Sequence, residues 1–393
     1  MKLLFRAVAT LIIVSTSLVA QLRVSGQATA EFFKSEDGMS QYTVDQGRAT
    51  FAWRMDLFAD AVITDRITFL SNFRMLQDQV LHIDLLAVRI ADIASTGIFL
   101  QAGQIDIPFG SLGEQRFPAQ NPFFDLPLMN EHVSALCESN YDLWTFSPEY
   151  AMRGDGVRIL DQGLYDLGIK LYKDFGPFDV AVAVINGMVS ATGTYAPGGL
   201  NANHGLGTVG RISATPFYGL TLGLSYGYGD FMKDVSDSPS SQLYDKSPDN
   251  YLQRIAGADI AFALEHFTLR GEVISNLWDY VQGVSLKTVG FSATARYAFT
   301  PRLSGAVRIG GMTFNTVSIR EYIPAVGYGY SGPVGYVLYN GKWDHDVSRL
   351  EIAAGYKLDQ SLLFKVGYQF NKTYGMQHDP FDNVLFLQTV LSF

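Results

Sequence analysis

The chain has 393 residues, 48% of them hydrophobic and 17% charged, with a formal net charge of −9. That is too apolar for a disordered chain, and too acidic for a nucleic-acid partner, whose phosphates call for a basic surface. The single cysteine, Cys137, excludes an internal disulfide and any cysteine-based metal site.

Residues 1–20 combine a basic start (Lys2, Arg6), an apolar run from Ala7 to Val14 and small residues up to Ala20. This is the pattern of a secretory signal peptide, with cleavage expected after Ala20 and residues 21–393 forming the exported unit. Beyond it no apolar stretch approaches the roughly 18–20 residues that a membrane helix needs. The exported chain is therefore either soluble or crosses a membrane as strands.

Period-two alternation dominates the exported unit. In "GRATFAWRMDLF", Phe51, Trp53, Met55 and Leu57 share one face, with Arg48, Thr50, Arg54 and Asp56 on the other. "SLKTVGFSATARYAF" repeats the pattern with Val289, Phe291 and Tyr297 against Thr294 and Arg296. "VSRLEIAAGYKL" sets Leu350 and Ile352 against Arg349 and Glu351, and "SLLFKVGYQFN" sets Phe364 and Val366 against Lys365 and Gln369. In chain order the expected strands lie near 22–33, 47–58, 62–76, 79–91, 97–107, 163–174, 178–188, 206–216, 218–230, 251–264, 266–279, 285–299, 301–314, 347–358, 360–373 and 383–393, about sixteen in all.

The connectors sort by side. Tight turns at 60–65, 92–97, 174–179, 215–219, 264–267, 299–302 and 358–361 alternate with mostly longer loops, of which 108–162 is the longest. Tight turns on one side and long loops on the other are the layout of a transmembrane antiparallel β-barrel, and an even strand count puts both termini at the tight-turn side. A propeller would show a repeat of about 40–50 residues, which is absent. Apolar faces rich in Phe, Leu and Val, opposite faces carrying both signs of charge, and aromatics recurring near strand ends fit lipid outside and water inside. A connector as long as 108–162, without secondary structure of its own, is uncommon unless it is functional.

The last strand, "VLFLQTVLSF", places Leu385, Leu387, Thr389, Leu391 and Phe393 on alternate positions counted back from the carboxylate. It is similar to the C-terminal signature of bacterial outer-membrane proteins. That resemblance implies an assembly signal at Phe393 and Leu391, read by the barrel-assembly machinery. "GQIDIPFG" (103–110), "GVRI" (156–159) and "AVINGM" (183–188) resemble segments of the phosphate-selective porin group, porins O and P. This second resemblance implies a sixteen-strand channel in the outer membrane of a Gram-negative-type bacterium, surrounded by lipid and often trimeric, with 108–162 folded inward as its constriction. The chain departs from that group where selectivity would lie, because anion-selective members line the constriction with Arg and Lys. Here the loop carries Glu114, Asp125, Glu131, Glu138 and Asp142 against Arg116, so a cation-leaning pore is expected from the sign of the charge. Strand phasing turns Arg48, Arg54, Arg66, Arg74, Arg270, Arg296, Arg308, Arg349, Asp56 and Glu272 toward the lumen as the pore wall.

No catalytic, metal or cofactor site is expected. His82 near Asp84, and His345 between Asp344 and Asp346, lack an activated nucleophile nearby. The expected function is passive diffusion of small polar solutes or ions. Two other readings stay open: a barrel sheath around a periplasmic or multihaem electron-transfer partner, and an adhesion barrel using the Gly/Tyr-rich segment 326–341.

Overall fold

The structure, a computed structural model, describes residues 21–35, 49–77, 80–136, 157–161, 164–190, 205–231, 250–280, 283–323, 335–375 and 382–393. The signal segment, Arg48, Cys137, Glu138 and Asp142 lie outside the described residues, as does the Glu114 side chain.

The alternating segments form strands β1 (Gln21–Ser35), β2 (Ala49–Val62), β3 (Ile67–Leu76), β4 (Leu81–Ile90), β5 (Phe99–Asp106), β6 (Tyr165–Phe175), β7 (Phe178–Ile185), β8 (Gly207–Phe217) and β9 (Leu220–Asp230). The second half contributes β10 (Leu252–Leu264), β11 (Phe267–Asp279), β12 (Ser285–Ala298), β13 (Leu303–Phe314), β14 (Thr316–Ile323), β15 (Gly335–Lys342), β16 (Val347–Lys357), β17 (Leu362–Thr373) and β18 (Val384–Ser392). All but β14 and β15 join one closed antiparallel barrel of sixteen strands. Closure leaves no sheet edge in hydrocarbon, where an unpaired peptide group costs several kcal/mol, on the order of a lost buried hydrogen bond.

Alternation decides which side each residue sees. Phe51, Val289, Phe291, Ile352, Phe364, Leu385, Leu387 and Leu391 are exposed on the outer face. Their sequence neighbours Thr288, Ser292, Glu351, Lys365 and Gln388 are buried toward the lumen.

The seam between the first and last strands runs from Gln27↔Ser392 to Ser35↔Val384. Phe393 extends it by one residue: its N–H donates to the Gly26 carbonyl at 2.9 Å and its carbonyl accepts from Gly26 N–H at 2.8 Å. The Phe393 ring lies over Gly26, where an added Cβ would sit 2.6 Å from the ring and 2.8 Å from the Asp56 carbonyl oxygen. Gly26→Val is therefore expected to destabilise the seam by roughly 1–3 kcal/mol. The check is the temperature at which the folded band is lost in a heat-modifiability gel, and an unchanged temperature would show that the ring swings aside freely.

Three departures from strict alternation matter. β2 runs on to Val62, so Arg66 falls in the exposed 63–66 turn and is not part of the pore wall. The β3–β4 register shifts between Asn72 and Phe73, a bulge that reverses the phase of β4 beyond Asp84. Finally, the segment expected as one long loop after β13 contains the hairpin β14–β15, paired from Thr316↔Lys342 to Ile323↔Gly335. These two strands bond to each other and not to the barrel ladder, so their sequence need not carry the alternation of a barrel strand.

The lumen is not uniformly polar. Ile185, Val209, Ile255, Ile274, Trp278 and Met312 are buried on its wall in one apolar cluster with Ile107, Phe109, Leu126, Leu128 and Met129 of the β5–β6 connector. The connector fills this side, and the wall beneath it is apolar because water is excluded there.

Candidate functional site in the barrel lumen

The β5–β6 connector folds inward and touches down along the wall from β9 round to β2. At its start, Gly110 (φ +65°) turns the chain; its N–H donates to Ser225 Oγ at 3.0 Å. Ser111 donates its N–H and hydroxyl to Glu272 Oε2 at 3.2 and 2.9 Å. Crossing the lumen, the chain presents the Arg116 carbonyl to Arg54 at 3.2 Å and the Ala119 N–H to Gln27 Oε1 at 3.0 Å.

On β17, Lys365 then holds three backbone carbonyls, those of Pro118, Asn121 and Phe123, at 2.9, 2.9 and 3.0 Å. Its ammonium has three protons to give, and all three are directed at the connector. A further anchor sits where β13 and β16 adjoin. Arg308 donates to Asp125 Oδ1 at 2.7 Å and to Glu351 Oε1 at 2.8 Å, and its guanidinium lies 4.4 Å over the Phe123 ring. Arg349 Nη1 donates to Asp125 Oδ2 at 2.5 Å. Two cations and two carboxylates, all buried, thus balance one another. Burial alone would push the Asp125 carboxyl up; Arg349 and Arg308 outweigh it and hold the group below the usual carboxylate range.

The helical turn Leu128–Glu131 packs next, with Glu131 Oε1 accepting from Leu126 N–H at 3.3 Å. His132 Nε2 meets Asp344 Oδ2 at 3.0 Å, and the Ala135 N–H donates to the same oxygen at 3.1 Å. The carboxylates that flank His345 are thereby taken: Asp344 faces His132, and Asp346 accepts the Phe314 N–H at 3.0 Å. Among the described residues no group of three His, Cys, Asp or Glu is placed to hold a metal ion.

Of the expected acidic constriction, the described side chains are those of Asp125, Glu131 and Arg116. Asp125 and Glu131 are buried, one neutralised by two arginines and the other bonded within its own turn, so neither presents free charge to a permeating ion. Of the wall residues, Arg54 pairs with Asp56 at 2.8 Å and Arg74 with Asp84 at 3.1 Å. Arg270 and Arg296 face inward on the register that carries Arg308. They have no carboxylate partner among the described residues.

Between the connector and the β4–β8 wall an open cavity of about 450 Å³ remains. Arg89, Arg116, Lys170, Tyr172 and Arg211 line it together with Asp106, Asp174 and Asp179. Lys170 is paired with Asp106, and Arg211 with Asp259, through Nη2 at 2.9 Å. Arg89 reaches the Thr68 hydroxyl at 3.4 Å, and Arg116 lies 4.6 Å over the Tyr165 ring while its Nε donates to the Gly113 carbonyl at 2.8 Å. These two guanidinium groups have no carboxylate partner among the described residues. Arg89, Lys170 and Arg211 were not foreseen as wall residues. The alternation of Leu167, Ile169 and Leu171 already turns Lys170 inward, and that of Gly210 and Ile212 does the same for Arg211, whereas the bulge in β4 hides Arg89 from strict phasing.

No family model matches the chain, and no curated protein matches it in sequence. Solved structures match in fold. The outer membrane channel DcaP of Acinetobacter baumannii is 11% identical with a TM-score of 0.61, the match covering 96% of this chain and 99% of that one. The anion-selective porin of Comamonas acidovorans is 9% identical with a TM-score of 0.56, covering 95% and 100%. OmpT of Vibrio cholerae in its trimer form is 10% identical with a TM-score of 0.57, covering 95% and 99%. The chain thus has the closed sixteen-strand barrel fold of bacterial outer-membrane porins.

Proposed function

We propose that the protein is an outer-membrane porin through which small polar solutes diffuse passively, the connector 108–162 forming its constriction. The observation that carries this reading is the inward connector, anchored on opposite walls by Ser225 of β9 and Gln27 of β1 and between them by Glu272, Arg308 and Lys365, beside an open cavity lined with charged side chains. A lipid-facing outer surface supports residence in the outer membrane, with the tight turns and the Phe393 terminus on the periplasmic side and Phe393 and Leu391 serving the barrel-assembly machinery. The trimer form of OmpT supports a homotrimer.

The charge preference proposed is for anions. Asp125 is neutralised by two arginines and Glu131 is buried and hydrogen-bonded, whereas Arg89, Arg116, Arg270 and Arg296 have no ion-pair partner among the described residues. Rings or rows of unbalanced charge set permeability by sign. In a planar bilayer with a salt gradient, open-channel current with a reversal potential of the anion-selective sign is expected. Arg270→Glu should move that potential toward the cation side by several millivolts, on the order of the effect of one charge reversal in a focused field. Folded protein without conductance would overturn the channel reading; a cation-selective potential would overturn the charge assignment alone.

A further inference from the structure

The cavity beside the connector differs from a plain charged passage in two ways. Its basic groups are unequally satisfied, since Lys170 and Arg211 are matched by Asp106 and Asp259, while Arg89 and Arg116 meet only neutral groups. Both of these guanidinium groups are nevertheless held in place, Arg89 by Thr68 and Arg116 by the Tyr165 ring and its own turn. Fixed cations of this planar kind pair in two-pronged fashion with carboxylates and lose little freedom in doing so. The second feature is that the lining also has apolar members, Leu70, Ile107, Pro108 and Phe109, beside the carboxylates Asp106, Asp174 and Asp179. A strongly hydrated inorganic anion gains nothing from such a wall, whereas a hydrocarbon body does. The volume of about 450 Å³ falls within the range of small-molecule sites.

We propose that this cavity is a binding subsite for an organic carboxylate, its charged end on Arg89 and Arg116 and its apolar body against Leu70, Ile107 and Pro108. The proposal rests on the channel reading in that the cavity is entered from the lumen; the experiment separates the two. A short-chain carboxylate dwells here on its way through, and the subsite thereby favours amphipathic anions over chloride or phosphate. Two asymmetries result. Lengthening the alkyl chain tightens binding, and removing either free guanidinium weakens it without touching the connector's anchors at Lys365 and Arg308.

The test is saturation-transfer NMR on the folded barrel in detergent, with acetate, butyrate and inorganic phosphate as probes at fixed ionic strength. Each methylene that reaches the apolar wall is worth up to about fourfold in affinity, so butyrate is expected to half-saturate about tenfold below acetate, with phosphate a poor competitor. Arg89→Gln should weaken butyrate binding at least about fivefold, the effect of losing one charge-assisted pair. Arg302→Gln, on an exposed turn, should leave it unchanged. Far-UV circular dichroism and gel migration confirm that each variant is folded. Equal affinity for acetate and butyrate, competition by phosphate at equal concentration, or a butyrate signal insensitive to Arg89→Gln, as detergent partitioning would give, each overturns the proposal. Bilayer conductance is read on the same preparation. A conducting barrel that does not bind butyrate sinks the subsite and leaves the channel standing, and a non-conducting barrel that binds it does the reverse.

Discussion

Asp125→Ala is expected to free the constriction loop while leaving the barrel closed. The substitution removes the carboxylate on which Arg308 and Arg349 converge and leaves two buried guanidinium groups with Glu351 as their remaining described carboxylate. Breaking a buried pair from one side costs roughly 3–5 kcal/mol, since the residual charge stays desolvated. That penalty falls on the loop rather than on the sheet, whose ladder hydrogen bonds do not involve Asp125. The outcome is therefore local opening. Cleavage within residues 117–131 by an added protease should accelerate, and single-channel conductance should rise and become noisier, while gel migration stays that of folded barrel. Acidification should do the same to the unmodified protein. The folded-state pKa of Asp125 is depressed, so its contribution is present above the ordinary value of 3.8 and is lost as the pH falls further, through the folded-state value. Loss of the folded band in Asp125→Ala would show instead that the cluster holds the barrel together.

Lys365→Met carries the second large effect. Methionine keeps much of the length and volume of the side chain but donates nothing, so the carbonyls of Pro118, Asn121 and Phe123 lose the donor they share. A buried acceptor left unmet costs about 1–3 kcal/mol, and three acceptors sharing one lost donor set an upper range of several kcal/mol. Loop residues 118–123 would move to find water, and the small space beside Arg296, Ser304 and Asn121 would widen with them. The readout is hydrogen exchange of the Phe123 amide, expected to speed up by at least about a hundredfold if roughly 3 kcal/mol is lost. Lys365→Arg tests the geometry: its charge is kept, but a planar fork cannot aim at three carbonyls as an ammonium does. Partial protection is expected from it. If both variants exchange like the parent, the lysine is ornamental to the loop.

Much of the architecture was legible because a lipid-spanning sheet writes itself in period two. Phe291 and Ile352 face out, and Arg308 and Glu351 face in, with nothing but parity needed to tell them apart. Parity fails where the chain inserts a residue. The register shift at Asn72/Phe73 turns Arg89 inward, against the phase set by His82, and no residue type in "LHIDLLAVRI" marks the bulge in advance. The hairpin β14–β15 escaped for a different reason, since it pairs only with itself and not with the barrel strands. The character of the loop was the least readable. Counting acidic residues treats every charge as free, yet Asp125 finds its partners 183 and 224 positions along the chain, and such pairings exist only once the barrel has closed.

The touchdown points of the connector also tie its seating to strands far along the chain. It emerges after the fifth strand, but its lysine clamp lies on β17 and its arginine clamp on β13 and β16. The segment proposed to narrow the passage therefore has its docking partners only once β13, β16 and β17 are in the sheet, whatever the order in which strands join. Seating of the connector thus reports that this stretch of the wall has formed. A chain cut short before β17 would lack the ammonium that gathers residues 118–123, whatever its remaining strands achieved.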